Sequence, residues 1–166
     1  MSDKKILLNK DVAEQKLQRM ALEVAEQLTG DETELVLIGV RNSGMVVAER
    51  IGAFLKEYFT GKMRVISVSF DKHDPQEITF SEEINFDEKN ILVIDDVCNS
   101  GKTLLYALKP LLSFKPKRIQ TLVLVERMHK LFPIKADYVG MSVATTFQDY
   151  ITVEVKDNEV IGAYVL

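Results

Sequence analysis

Cysteine is almost missing from this sequence, with one in 166 residues, and tryptophan is missing altogether. A lone thiol cannot close an internal disulfide, which suits a reducing compartment. Two histidines and one cysteine are too few for a metal site of the His/Cys type. No apolar run approaches the roughly 20 residues of a membrane span, so no membrane partner is expected. The start, MSDKKILLNK, lacks signal-peptide anatomy. Net charge is −4, which gives no general attraction to nucleic acid or an anionic membrane. Repeats, low-complexity tracts and linkers are absent as well. What remains is 46% hydrophobic and 28% charged. That balance reads as one domain over 1–166, able to bury a real core and expected in the cytoplasm.

Apolar spacing organises the chain. Val12, Leu17, Met20, Ala21, Val24, Ala25 and Leu28 recur at helical intervals over residues 11 to 29. Asp11 with Glu14 offers a capping box, and Gly30 a stop. ELVLIGV (34–40) is a short branched apolar run, the mark of a strand buried on both faces. The turn RNSG follows, then a helix from about Met45 to Tyr58. MRVISVSF (63–70), NILVID (90–95) and RIQTLVLV (118–125) read as further strands, and Ser100 to Phe114 as a helix stopping before Pro116. EITFSEEINF (77–86) suggests a hairpin. Beyond 126 the pieces YVGMSVAT, YITVEV and VIGAYVL are strand-like, with a turn at Asp157-Asn158. Alternating strands and helices predict an α/β fold, a parallel twisted sheet with helices on both faces. Ligands of such sheets bind beyond the carboxyl ends of the strands.

Two segments at those ends carry the chemistry. Residues 93–103, VIDDVCNSGKT, end like a phosphate-binding P-loop, but Asp96 stands where that pattern needs its first glycine. A P-loop nucleotide hydrolase is therefore disfavoured. Ser100, Gly101 and Thr103 lie at a strand-to-helix junction, where free N–H groups and hydroxyls can cradle a monophosphate. Asp95 and Asp96 would repel that phosphate. Ionised carboxylates only accept hydrogen bonds, so they suit a pair of hydroxyls one sugar-width away. Ribose 5-phosphate satisfies both halves.

ILVIDDVCNSGKT resembles the phosphoribosyl-diphosphate motif of type I phosphoribosyltransferases: a branched strand, two acids, then a small T/S-G-x-T loop. Residues 40–44, VRNSG, resemble that family's diphosphate loop. The stretch 124–145, LVERMHKLFPIKADYVGMSVAT, resembles the hood of the pyrimidine-operon attenuator proteins, which are also uracil phosphoribosyltransferases. Arg127, His129, Pro133, Ile134, Asp137, Tyr138, Val139 and Gly140 carry that match.

The resemblance implies a type I phosphoribosyltransferase fold with a small C-terminal hood region. It implies transfer of ribose 5-phosphate from 5-phosphoribosyl 1-diphosphate to a nucleobase, with uracil ahead. Asp95, Asp96 and Arg41 take the catalytic roles. Asn42, Ser43, Val97, Cys98, Asn99, Ser100, Gly101, Lys102 and Thr103 join them in binding the donor. Arg127, Val139, Gly140 and Met141 hold the base, and Asp95 and Asp96 place Mg2+ through water. Residues 71 to 85 would close as a lid, and a homodimer is implied.

Several residues depart from the family pattern. Glu126 replaces an aspartate, Met128 a glycine and Met141 a lysine, which leaves the base open. Phe70-Asp71-Lys72 stands where the family has an Arg-Asp pair, with Lys72 or His73 as substitutes for the missing charge. Asn99 stands where hypoxanthine–guanine enzymes carry an aspartate, and an amide cannot act as a general base. That disfavours a purine. An RNA-binding, nucleotide-sensing regulator is the other alternative. It would use the basic clusters Lys115, Lys117 and Arg118, or Arg127, His129, Lys130 and Lys135, which read more simply as solvated faces. Cys98 reads as filler within the loop, since neither histidine is tied to it as a base.

Overall fold

The structure is a computed structural model and describes residues 4–71, 77–146 and 149–166. Strand β1 (Lys5–Asn9) runs directly into helix α1 (Lys10–Gln27). Asn9 caps that helix: its Oδ1 accepts the Val12 N–H at 2.9 Å. The expected Asp11/Glu14 box is displaced, because β1 delivers a better cap two residues earlier. Ala13, Leu17, Met20, Ala21 and Val24 form the buried stripe of α1.

Strand β2 (Leu35–Val40) is buried along its whole length. Its residues alternate between two cores. Leu35 and Leu37 pack with α1 and with α2 (Ser43–Leu55), while Val36, Ile38 and Val40 face the opposite cluster. Strand β3 (Met63–Phe70) matches the expected span, and a short strand β4 (Ile78–Phe80) returns antiparallel beside it. The expected hairpin within 77–86 is therefore replaced by pairing to β3. Phe86 instead enters the second core, edge-on to Phe114.

Strand β5 runs Asn90–Cys98, three residues beyond expectation. Helix α3 (Lys102–Leu108) is shorter than expected and tightens into a 3-10 turn over Lys109–Ser113, where Pro110 has no N–H to continue the helix. Strands β6 (Arg118–Arg127) and β7 (Tyr138–Val143) follow, then β8 (Ile151–Lys156) and β9 (Glu159–Val165).

The main sheet has the order β4-β3-β2-β5-β6-β7, parallel except for β4. Helices α1 and α2 cover one face, and α3 the other. The chain steps from β2 outward to β3, then returns to place β5 on β2's other side. That reversal makes a crevice at the carboxyl ends of β2 and β5.

A second sheet, β1-β9-β8, joins the two ends of the chain. The stretch 124–145, matched to the hood from its sequence, is placed differently. Much of 124–145 belongs to the main sheet as β6 and β7, and the separate sheet draws on the amino terminus too. No helix of the described residues is long and apolar enough to cross a membrane.

Candidate active site

The crevice has a wall from each of two loops. On the first, Arg41 donates its backbone N–H to Val68 O at 3.0 Å, and the Arg41–Asn42 peptide is cis. Helix α2 then starts at Ser43 and lies against the end of β5. A Cβ at Gly44 would meet Asp95 Oδ1 at 2.9 Å and Ile94 O at 3.0 Å. Glycine at this position lets the first turn of α2 rest on the acidic pair.

The second wall begins with that pair. Asp95 is 7% exposed and Asp96 is half-buried. Asp95 Oδ1 accepts the Asp96 N–H at 2.8 Å, and Asp96 Oδ1 accepts the Val97 N–H at 2.9 Å. Burial, and then the charge of Asp96, push the Asp95 carboxyl well above the usual carboxylate range. Burial raises Asp96 as well. Both carboxyls gain most from a positive charge brought close to them.

Beyond the acids the chain turns through residues 99–103. Gly101 takes a left-handed φ of 86° and caps α3. Ser100 O accepts the N–H groups of Leu131 and Phe132, each at 3.1 Å, and Ser100 Oγ accepts that of Lys102 at 3.2 Å. Asn99 is tied at two points: its Nδ2 donates to Ile151 O at 3.0 Å, and its Oδ1 accepts the Ile151 N–H at 3.1 Å. The start of the second sheet is thereby fastened to this loop.

A cleft of about 510 Å³ brings Arg41, Asn42 and Ser43 together with Asp95 and Asp96. Val97, Cys98, Asn99, Ser100, Gly101 and Thr103 line it as well. Arg127 enters from the end of β6. It is held by a hydrogen bond to Thr146 O, and its Nε is buried without a partner among the described residues. Lys102 turns instead into a neighbouring cleft of about 490 Å³, which it shares with Arg41, Phe70 and Tyr106.

Val139, Gly140 and Met141 do not line the cleft. They lie in β7, and the carbonyls of Val139 and Gly140 accept from Arg19 Nη2 at 3.2 and 2.8 Å. Glu126 turns away into a buried ion pair with Lys130 at 2.6 Å. Cys98 ends β5 in the core, and burial pushes its thiol up to about 11, against a smaller lowering from Lys130. Its reading as filler fits that environment. Lys72 and His73 fall outside the described residues, as does most of the lid's first half.

Tyr150 lines the cleft and was not singled out by the sequence. An isolated tyrosine before a strand-like piece carries no pattern, and the tie that holds its neighbour Ile151 beside the cleft comes from Asn99, 52 residues before Ile151. The described residues hold no cluster of three or more His, Cys, Asp or Glu suited to a metal ion. A cation here would rest on one or both aspartates, with substrate oxygens and water completing its shell.

Residues 4–158 match the model of the phosphoribosyl transferase domain. The chain is 31% identical over 166 residues to the bifunctional protein PyrR of Clostridium kluyveri, covering 95% of this chain and 93% of that one. The PyrR protein of Clostridium novyi is 32% identical over 167 residues, with the same coverage. Among solved structures, the hypoxanthine phosphoribosyltransferase of Trypanosoma cruzi superposes with a TM-score of 0.82. It is 18% identical and covers 98% of this chain and 95% of that one, so it supports the fold alone. The expected parallel sheet with helices on both faces is the architecture shared with that enzyme. Together with the acidic pair and phosphate-type loop in one crevice, these matches establish that the chain belongs to the phosphoribosyl transferase domain family, as a type I phosphoribosyltransferase similar to the PyrR proteins.

Proposed function

We propose that this phosphoribosyltransferase uses uracil as acceptor and converts it, with 5-phosphoribosyl 1-diphosphate, into UMP and diphosphate. One observation carries the reading: the acidic pair, the Ser100–Thr103 turn and the Arg41 loop open into one cleft of about 510 Å³. Phosphate, sugar and leaving diphosphate each find a fitting group there. Ser100 and Thr103 hydroxyls receive the 5-phosphate. Arg41, a fork of donors at the other end, receives the diphosphate.

Asp95 and Asp96 accept from the 2- and 3-hydroxyls of the ribose. Their burial makes ionisation costly, so they respond most strongly to the positive charge that grows on the ring as the C1–O bond opens. They favour the transition state over the ground state for that reason. The all-oxygen donor set, too small for a protein cage, fits Mg2+. Bound at this pair, that ion would supply neutralisation of the departing diphosphate.

Asn99 supports a pyrimidine. Both polar atoms of its amide are engaged by the Ile151 backbone, so residue 99 has no group free for proton transfer at a purine ring. The test is a screen of uracil, hypoxanthine, guanine, xanthine, adenine and orotate with donor and Mg2+. Uracil consumption is expected. Replacing Asp95 and Asp96 together by asparagine should cut turnover by about 10²-fold or more with the circular dichroism spectrum unchanged. A double variant that turns over at the wild-type rate, or a wild type that prefers a purine, overturns this reading.

A further inference from the structure

Behind the Ser100–Thr103 turn lies a loop that touches no substrate in the reading above. Residues 128–137 join β6 to β7 without forming a strand, and none of them lines the cleft. Their backbone grips the turn from the far side. Leu131 and Phe132 donate their N–H groups to Ser100 O, each at 3.1 Å. Ile134 Cγ2 fills the space that a Cβ at Gly101 would need. Ser100 Oγ accepts the Lys102 N–H at 3.2 Å, which leaves its own hydrogen for a phosphate oxygen. The direction of that hydroxyl follows the backbone of Ser100, and that backbone follows the loop.

Glu126 gathers both ends of the loop. It is 4% exposed, near the end of β6. Its Oε1 pairs with Lys130 Nζ at 2.6 Å and accepts the Ala136 N–H at 3.4 Å, and its Oε2 accepts from Ser142 Oγ at 3.5 Å. The Lys130 side chain is 12% exposed, and a Cβ at Gly101 would lie 3.6 Å from its Cδ. The lysine stem thus runs along the turn on its way to the acid. Burying two charges costs solvation that their attraction roughly repays, so an apolar pair of similar volume would hold a loop as firmly. What apolar contact lacks is the fixed direction of a charged hydrogen bond.

We infer that Lys130, through its buried pair with Glu126, is a positioning residue for the 5-phosphate site. The pair sets the 128–137 loop against Ser100 and Gly101, and so aims the turn at a phosphate monoester. This rests on the phosphoribosyl-transfer reading above.

Steady-state kinetics, calorimetry and thermal melting test it on the full chain, with Lys130→Met, the double variant Glu126→Gln/Lys130→Met, and Asn9→Ala as a control that loses only a helix cap. A misaimed hydrogen bond to a charged phosphate should raise the donor KM about tenfold in Lys130→Met and weaken ribose 5-phosphate binding about tenfold. The base KM, read at saturating donor, should stay at the wild-type value. Lys130→Met should also melt earlier, because it strands the Glu126 charge. The double variant removes that charge, so its melting temperature should return toward wild type while its donor KM stays raised. Asn9→Ala should melt earlier and keep the wild-type donor KM.

Wild-type donor KM and ribose 5-phosphate affinity in both Lys130 variants would overturn the inference. So would a donor KM that recovers together with the melting temperature in the double variant, or one that rises equally in Asn9→Ala, since either marks stability alone. A double variant that does not fold would make the pair a requirement of the fold and would equally overturn a positioning role. A wild type that binds neither ribose 5-phosphate nor donor, and consumes no base, would sink the phosphoribosyl-transfer reading itself. Normal transfer with an indifferent Lys130 would sink only the positioning role.

Discussion

Gly101 shows how one position can serve backbone shape and packing together. Its φ of 86° is a conformation that a side chain resists, and a Cβ there would lie 2.6 Å from Ile134 Cγ2. Alanine would meet both penalties, in a turn that Leu131 and Phe132 also grip through Ser100 O. Gly101→Ala should destabilise the protein by about 1–3 kcal/mol in urea unfolding and weaken donor binding. Ile134→Ala, added to it, should recover the steric share and leave the backbone share. Equal stability of Gly101→Ala and wild type would show that the turn accommodates the change. The glycine was legible in the sequence because S-G-K-T is a local pattern, whereas Ile134, its reason for being irreplaceable, lies 33 positions on. Cys98 shows the opposite case. Its place in the motif reads as filler within a loop, but β5 continues through it and carries the sulfur into the core.

At the scale of elements, the strands read most directly were those buried on both faces. LVLIGV and NILVID need no partner to be recognised, because every residue is apolar or nearly so. Strand β1 gives no such signal. Its sequence KILLN has charged and polar ends, only Leu8 is fully buried, and Lys5 pairs with Val165 at the far end of the chain. The part that β1 plays in the second sheet was invisible for the same reason, and so was the tie of Asn99 to the start of β8. Asn9 belongs to both β1 and α1, closing one and capping the other. Asn9→Ala should cost about 0.5–2 kcal/mol in thermal or urea unfolding, and Asn9→Asp should retain most of the cap. If alanine at position 9 changes nothing, the start of α1 is held by β1–β9 pairing rather than by its cap.

Across the whole molecule, chemistry and scaffolding occupy opposite ends of the main sheet. The loops that line the cleft follow the carboxyl ends of β2, β5 and β6. At the amino ends, acids tie strand starts together. Glu34 lies near Arg64 and Lys89, and Asp31 joins the entry to β2 with those of β5 and β6. Asp31 Oδ1 accepts the Thr33 N–H at 2.9 Å, and Oδ2 receives Asn90 Nδ2 and Lys117 Nζ, each at 3.0 Å. Hydrogen bonds from Thr33 and Asn90, then from the Lys117 ammonium, hold this carboxyl far below the usual carboxylate range. The folded state therefore prefers the ionised form. Its stabilising effect is complete above the unfolded carboxyl's pKa of about 4, and fades as pH falls toward the depressed folded value. The melting temperature of wild type should exceed that of Asp31→Asn by a constant margin from pH 8 down to about 5, and the margin should narrow below about pH 4. A margin as wide at pH 3 as at pH 7 would mean that the carboxylate's charge is not what holds these three entries together. Because Asp31 lies at the end of the sheet away from the cleft, the loss should appear in melting and leave the base and donor KM values in place at pH 7.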